Sequence, residues 1–253
     1  MTDTPSPSTG RFIRVALVGL PVGLILTSIL SFGIWWQKKQ SAEERTFAYA
    51  TALRRDMTLP ALDRYTSILN EVMQPQGRER LAAVSSFVES SMSPENMGYS
   101  PRRDRFYDGG LEFSNVDVEI TGNPRAREIR LILVPFGDPA RTEAEVQALA
   151  GFMALGHALA GSREENTLRL AAVPLGVKDE HGNTALQRFA ASCTGRQERV
   201  IQIILPGGVP EPLQAEIHAA FRTSQTGALV EVLPASKTKE ETLKMMTQLL
   251  GRL

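Results

Sequence analysis

The sequence predicts an α/β fold with a mixed, largely parallel β-sheet flanked by helices. Two short apolar runs, residues 129–134 and 168–173, flank an amphipathic pattern over residues 142–160. Strand, helix and strand in this order are the βαβ crossover from which parallel sheets are built. A length of 253 residues, 42% of them hydrophobic, suits one such domain with an appendage.

The amino-terminal residues predict a tail followed by a membrane anchor. Residues 1–11 are rich in Ser, Thr and Pro, which predicts a disordered tail. No charged residue occurs over residues 15–36, and about 20 apolar residues suffice for a helix to cross a bilayer. Trp35 and Trp36, followed by two lysines, are typical of a membrane interface. We therefore expect one transmembrane helix over residues 12–37, with the membrane as a partner through residues 15–36.

Residues 38–75 predict a helical stalk, with a break near Pro60. The α/β domain is expected over residues 76–253. It would begin with a helix over residues 77–92, followed by strands near residues 99–107 and 111–120. In the second strand the alternation of valines with Asp117 and Glu119 predicts a half-exposed sheet edge.

The rest of the domain continues the α/β alternation. Thr142 with Glu145 is the pattern of a capping box that starts the central helix, and Thr238 with Glu241 repeats it at the last helix. Between them we expect a short helix ending near Cys193, a strand over residues 200–205, a helix over 212–221 and a strand over 228–233.

Charge and cysteine content narrow the function classes. Twenty-eight basic and twenty-eight acidic residues give no net charge, so nucleic acid is not an expected partner. The single cysteine, Cys193, excludes an internal disulfide and is expected to fill a helix end. The chain has no Gly-x-Ser-x-Gly, phosphate-loop or His-Glu-x-x-His motif. The arginines of residues 102–105 predict a solvated strand edge.

Several stretches together resemble the M28 family of zinc aminopeptidases. They are MGYSPRRDRF, FSNVDVEITG leading into IRLILVPFGD, the helix ALAGFMALGHALAG and the strand NTLRLAAVPLG. In that family such strands deliver a metal-binding His-x-Asp and a Glu-Glu pair. The resemblance implies a zinc-exopeptidase-like fold. It also implies a domain outside the cytoplasm, because such proteins are often exported.

The family's metal site is incompletely matched in this chain. Phe136 stands where the resemblance places the metal-binding His, and Asp138 matches the supporting Asp. The bridging Asp falls at Ala144, with Glu143 as a shifted candidate. Pro206 stands where a further Asp is expected.

The Glu-Glu pair, which supplies a general base and a ligand, has a remnant in Asp179 and Glu180. The remnant catalytic candidates are therefore Asp138, Asp179 and Glu180, and the weak metal candidates are Glu143, Glu180 and His181.

Three histidines are few for a pair of zinc ions, which needs several converging His and carboxylate ligands. His157 lies on the apolar side of its helix and is expected to be a satisfied core histidine. His218 is expected to be exposed on a helix. His181 has acidic neighbours that could bind a metal with it, but a solvated charged loop is expected here.

These features favour a membrane-anchored, catalytically inactive M28-like domain that needs no cofactor and serves as a binding or assembly module for a protein partner. One alternative is an active zinc-dependent aminopeptidase or hydrolase with a rearranged site at Asp138, Glu143, Asp179, Glu180 and His181. Another is a purely structural subunit of a membrane complex.

Overall fold

The computed structural model describes residues 7–122, 125–222 and 228–253, and the side chains of residues 7–20 and 23 lie outside this description. The chain divides into two compact units, Met1–Ala48 and Tyr49–Leu253. Helix α1, Pro7–Leu53, makes up the described part of the first unit and continues into the second. Residues 1–6 of the predicted tail lie outside the described residues. The helix covers the remainder of that tail, and Pro7 is compatible with this because proline is tolerated at a first helical position.

The apolar side chains of α1 that the structure describes are exposed, from Val22 through Trp36. Within the described part of the chain, no helix combines the length and the sustained apolarity that a membrane crossing requires. Of the predicted transmembrane segment, residues 12–20 and 23 lie outside the described side chains.

The second unit is a six-stranded mixed sheet with helices on its faces. Its helices are α2 (Leu59–Val72), α3 (Gly77–Ser91), α4 (Thr142–Leu159), α5 (Ala185–Gly195), α6 (Glu211–Arg222) and α7 (Lys239–Leu250). Its strands are β1 (Arg102–Asp108), β2 (Leu111–Ile120), β3 (Arg125–Phe136), β4 (Asn166–Pro174), β5 (Arg199–Leu205) and β6 (Leu229–Val232). The strand order is β1-β2-β4-β3-β5-β6.

The sheet is parallel where the sequence shows crossovers. Strands β4, β3, β5 and β6 are parallel neighbours, whereas β1, β2 and β4 pair antiparallel. The predicted strand, helix and strand over residues 129–173 are thus confirmed as β3, α4 and β4. The mixed, largely parallel α/β fold is confirmed with them.

Helix α4 is buried because it is covered on several sides. It packs on β3 and contacts both α2 and α7. A Cβ atom added at Gly151 would lie 2.7 Å from Cε of Met246, so glycine permits the close approach of α7. Helix α2 also contacts α7, and it lies within the second compact unit. The predicted stalk, residues 38–75, is therefore divided between α1 and a helix of the α/β unit, and Pro60 lies in the first turn of α2.

Three local predictions need correction. Strand β1 begins at Arg102 and not at residue 99, because the hydroxyl of Tyr99 is buried and donates to the carbonyl of Gly156 at 2.6 Å. Thr142 and Glu145 form no capping box: the N-cap residue of α4 is Arg141, and no side chain caps the helix. The complete capping box joins Thr184 and Gln187 at α5.

The prediction of a half-exposed edge at Asp117 and Glu119 is also wrong. Strand β2 lies between β1 and β4, so β1 is the edge strand and β2 is internal. Asp117 is buried and Glu119 is mostly covered, because both carboxylates face the guanidinium of Arg169 in β4.

Candidate functional site

The predicted site residues all lie near the carboxyl ends of the parallel strands. In open α/β sheets this edge carries the loops that bind ligands. Strand β3 ends at Phe136, whose carbonyl accepts a hydrogen bond from the amide of Leu175 just after β4, at 2.7 Å. The last residue of β3 and the first residue of the loop after β4 are thus joined.

The loop after β3 is fixed by a buried glutamate. The carboxylate of Glu145 accepts hydrogen bonds from the amides of Gly137, at 2.9 Å, and Asp138, at 2.8 Å. Burial raises the pKa of Glu145, although the two amides and nearby Arg141 and Arg80 oppose this increase. Sequence analysis assigned Glu145 to a helix cap, but its carboxylate caps the end of a strand instead.

Asp138 has a local structural role. Its Oδ1 accepts a hydrogen bond from the amide of Ala140 at 3.0 Å, which caps a single 3-10 turn, Pro139–Arg141. The hydroxyl of Thr142 donates to the carbonyl of Pro139 at 3.2 Å. Asp138, a predicted catalytic remnant, therefore stabilises the turn that leads into α4.

Two arginines connect the loops of this edge. Arg80 of α3 donates to the carbonyl of Gly137 and to the hydroxyl of Thr142, both at 3.3 Å. Arg141 donates to the carbonyl of Gly207, which follows β5, at 2.7 Å. Neither arginine stands out in the sequence, because their acceptors are backbone atoms and a hydroxyl far away along the chain.

Asp179 is the hub of the loop after β4. It accepts hydrogen bonds from the amides of His181, at 2.9 Å, and Asn183, at 2.8 Å, and from the guanidinium of Arg188, at 2.8 Å. Arg188 also pairs with Asp104 of β1. Burial acts to raise the pKa of Asp179, but these donors together hold it well below its ordinary value. The Asp179 carboxylate thus ties its loop to α5 and, through Arg188, to β1.

The other predicted donors face solvent. The side chains of Glu180 and His181 are 85% and 73% exposed, with Oε1 and Nε2 3.5 Å apart. Glu143 is exposed at the start of α4, whereas Phe136 is buried at the end of β3. Over residues 7–122, 125–222 and 228–253, no three His, Cys, Asp or Glu side chains come together in a group that could hold a metal ion.

The predictions for the remaining histidines are confirmed. His157 is buried in the last turn of α4, with Nδ1 2.6 Å from the hydroxyl of Tyr65 and Nε2 3.1 Å from the carbonyl of Asn96. His218 is exposed on α6. A histidine on the apolar side of a buried helix needs hydrogen-bond partners. The helical pattern of the sequence was therefore enough to predict a satisfied core histidine.

A cluster of buried charges around Arg169 was not predicted from the sequence. Arg169 has no exposed side-chain area and pairs with three carboxylates, those of Asp117, Glu119 and Glu198. The available signal was a lone arginine inside the apolar strand LRLAAV, because a charge in a buried strand requires charged partners. The cluster lies on the α5 face of the sheet, since the guanidinium of Arg169 also contacts Sγ of Cys193 at 3.4 Å.

Comparison with known proteins gives a fold but no family. No family model and no curated protein matches the sequence. Among solved structures, the glutaminyl cyclase of Fimbriiglobus ruber superposes with a TM-score of 0.57 at 12% identity, covering 78% of this chain and 95% of that chain.

Two further similar structures have TM-scores of 0.49. They are a glutaminyl cyclase from an Acidobacteriales bacterium, at 13% identity over 79% of this chain and 96% of that chain, and a putative Zn-dependent exopeptidase from Bacteroides vulgatus, at 8% identity over 77% of this chain and 94% of that chain. The fold of the α/β unit is therefore similar to that of a glutaminyl cyclase.

Proposed function

We propose that the α/β unit is a binding or assembly module for a protein partner, built on a zinc-exopeptidase-like scaffold and working without metal catalysis. The observation that carries this proposal is the set of hydrogen bonds that the Asp179 carboxylate accepts. This carboxylate accepts hydrogen bonds from two amides and from Arg188. Asp179, the remnant of the Glu-Glu pair, therefore stabilises a loop.

The donor set does not fit a pair of zinc ions. Such a pair requires several His and carboxylate ligands that converge, with partners behind each histidine. Asp138 caps a turn, and Glu180 and His181 extend into solvent from the loop after β4. The carboxylate of Glu145, which is also buried at this edge, is held by two amides. No catalytic step through a metal follows from these residues.

We further propose that residues 15–36 anchor the chain in a membrane, with the α/β unit outside the cytoplasm. The support is the exposure of α1: Leu30, Trp35 and Trp36 are each at least 50% exposed, on a helix whose described side chains from residue 24 to 36 are all exposed. A row of exposed apolar side chains of this size is unfavourable in water, whereas a bilayer would cover it.

Metal content and activity test the loss of catalysis. The full chain, purified in a neutral detergent and dialysed mildly, should be folded, free of stoichiometric zinc, and inactive on aminoacyl and glutaminyl peptide substrates. His181→Ala and His218→Ala form a matched pair of exposed histidines, of which one belongs to the predicted site. Near-stoichiometric zinc or peptide turnover that is lost in His181→Ala and Glu180→Ala but kept in His218→Ala would overturn the proposal.

Carbonate extraction and cysteine labelling test the anchor. In a Cys193→Ala background, Ser67→Cys on the exposed side of α2 should react with an impermeant maleimide in intact cells, whereas Ser8→Cys should not. Release of the chain by carbonate contradicts a membrane anchor, and labelling of the Ser8 variant alone contradicts the proposed orientation.

A further inference from the structure

A pocket of about 220 Å³ opens where the segment after α1 meets α2 and α4. Its wall is formed by Pro60 and Ala61 of α2, and Ala154 of α4 contributes a further apolar surface. Water occupies about 30 Å³ per molecule in the liquid, so the pocket can admit a group of several heavy atoms. All of these residues belong to the second compact unit.

The charges around this pocket are unbalanced. Arg55 and Arg64 both line it, and neither guanidinium forms a hydrogen bond or ion pair with any residue in the described ranges. Among the described residues that line the pocket, Asp56 is the one acidic residue, which leaves two arginines against one carboxylate. The first turn of α2 has no acidic residue, so the positive end of the helix dipole adds to the same field.

The interior of the pocket is formed by Tyr65 and His157, which satisfy each other. The tyrosine hydroxyl lies 2.6 Å from Nδ1, and the carbonyl of Asn96 lies 3.1 Å from Nε2. With Nε2–H donating to Asn96, Nδ1 accepts from the tyrosine, so the imidazole is neutral in this arrangement.

The two arginines act on both rings. Burial lowers the pKa of His157, the Asn96 hydrogen bond opposes this, and the charges of Arg55 and Arg64 lower it further. Burial also raises the pKa of Tyr65 to about 12, although the charges of the same two arginines act to lower it. The positive charges of both guanidiniums therefore act on the two rings that form the interior of the pocket.

We propose that this pocket binds a small oxoanion, a phosphate or carboxylate group, held by the guanidiniums of Arg55 and Arg64 at the amino-terminal end of α2. Guanidinium groups bind both kinds of oxoanion through charge-assisted hydrogen bonds. Two of them, without partners among the described residues, lie at one small pocket. The Tyr65–His157 pair provides a rigid floor for it, because its own hydrogen bonds are already made.

This inference is independent of the proposed function. Glu145 lies in the first turn of α4 and His157 in the last, so twelve residues of helix separate the carboxyl edge of the sheet from the pocket, about 18 Å along the axis. An active or an inactive carboxyl edge would leave the pocket unchanged. Zinc binding at the edge and oxoanion binding in the pocket are accordingly separate measurements.

The three histidines of the chain make the test specific. The full chain, labelled with ¹³C at histidine Cε1 and held in maltoside micelles, is titrated with inorganic phosphate at constant pH and ionic strength. The His157 signal should shift and saturate, while the signals of exposed His181 and His218 stay in place. Equal drift of all three signals would overturn the proposal, and so would a His157 signal that stays in place with inorganic phosphate and with both further probes named below.

Charge-neutral variants of the two arginines complete the test. Arg55→Gln and Arg64→Gln should each weaken phosphate binding about tenfold, the loss of one charge-assisted hydrogen-bond donor group. Arg127→Gln removes an exposed arginine that does not line the pocket, and it should leave the affinity unchanged. Equal affinities in all three variants would contradict the assignment even if the wild-type His157 signal shifts.

The source of the oxoanion is distinguished by two further titrations. Acetate tests a carboxylate in free solution, and micelles doped with phosphatidic acid, compared with phosphatidylcholine, test a lipid head group. A His157 shift that appears only with phosphatidic acid identifies a lipid phosphate, and a shift with inorganic phosphate or acetate identifies a soluble ligand. Failure of every probe to move the His157 signal rejects the site.

Discussion

Nε of Arg169 in β4 lies 3.2 Å from Oδ2 of Asp117 in the adjacent strand β2, and both side chains are almost fully enclosed. Glu198 pairs with both terminal nitrogens of the same guanidinium, and Glu119 approaches it at 3.1 Å. Burial raises the pKa of Asp117, although Arg169 opposes this increase. One guanidinium therefore holds together β2, β4 and the segment between α5 and β5.

Replacing Arg169 with methionine should strongly destabilise the α/β unit. The substitution preserves much of the apolar stem but leaves three carboxylates without their central partner. Breaking a buried ion pair by removing one side costs roughly 3–5 kcal/mol. The free energy of unfolding of the full chain in urea, followed by circular dichroism, measures the loss.

Arg199→Met provides the comparison. The side chain of Arg199 is 72% exposed and lies 3.7 Å from Glu128. Exposed pairs of this kind contribute about 0–1 kcal/mol. If the two variants lose similar stability, the buried cluster does not stabilise the sheet in the way described here.

The sequence was sufficient for elements that extend over several helical turns or strand alternations. The crossover of β3, α4 and β4 follows from two apolar runs on either side of a long helical pattern, and its parallel pairing confirms this. Single polar residues were harder, because their roles depend on distant partners. Glu145 fits a helix cap by spacing, yet its acceptor atoms are used by the amides of Gly137 and Asp138.

In the candidate site, too, the sequence predicts the position of a residue better than its partners. The sequence predicts Asp179 in the loop after β4, and the structure confirms this position. The sequence does not show that Arg188 donates a hydrogen bond to this carboxylate. Nor does it show that Arg188 is positioned by Asp104, 84 residues away. Asp117 and Arg169 are a further case, because an alternating polar residue in a strand points either to solvent or to a buried partner, and only the neighbouring strand decides which.

Asp179→Asn should reduce stability in a pH-dependent manner. The folded pKa of Asp179 lies below its ordinary value, so the ionised carboxylate stabilises the folded state. The difference in unfolding free energy from wild type should be full above the ordinary carboxyl pKa, about 3.9. It should decrease as the pH falls toward the lowered folded pKa. Urea denaturation between neutral and acidic pH measures this difference.

Glu180→Gln removes one negative charge from the same loop and serves as the control. The side chain of Glu180 is 85% exposed, with Oε1 3.5 Å from Nε2 of His181. This variant should stay close to wild type across the pH range. A loss in Asp179→Asn that does not change with pH would mean that packing, and not the charge of the carboxylate, accounts for its effect.

Glu145→Ala should release the loop after β3. The amides of Gly137 and Asp138 lose their acceptor, and leaving buried polar groups unsatisfied costs about 1–3 kcal/mol. Hydrogen exchange at these two amides should accelerate by more than global unfolding accounts for. Glu143→Ala, an exposed glutamate in the same helical turn, should change neither amide. Unaltered exchange in Glu145→Ala would show that the loop is held by Arg80 and Arg141 instead.

Tyr65→Phe should uncouple His157 from α2. The substitution keeps the ring but removes the hydroxyl that lies 2.6 Å from Nδ1, so a buried imidazole nitrogen loses its donor. We expect a loss of about 1–3 kcal/mol of unfolding free energy, since Nδ1 of a buried imidazole loses its hydrogen-bond partner. The ¹⁵N shifts of His157 should report Nε2–H as the tautomer in wild type, because Nε2 faces the carbonyl of Asn96.

Tyr107→Phe is the matched control, since Tyr107 is an exposed tyrosine whose hydroxyl donates to Glu112 at 3.0 Å. It should cost little, because water replaces the lost partner on both sides. If Tyr65→Phe is equally mild and leaves the ¹⁵N shifts of His157 unchanged, Asn96 alone orients the imidazole. The hydroxyl of Tyr65 would then be available to a ligand in the pocket between Arg55 and Arg64, as an additional hydrogen-bond donor.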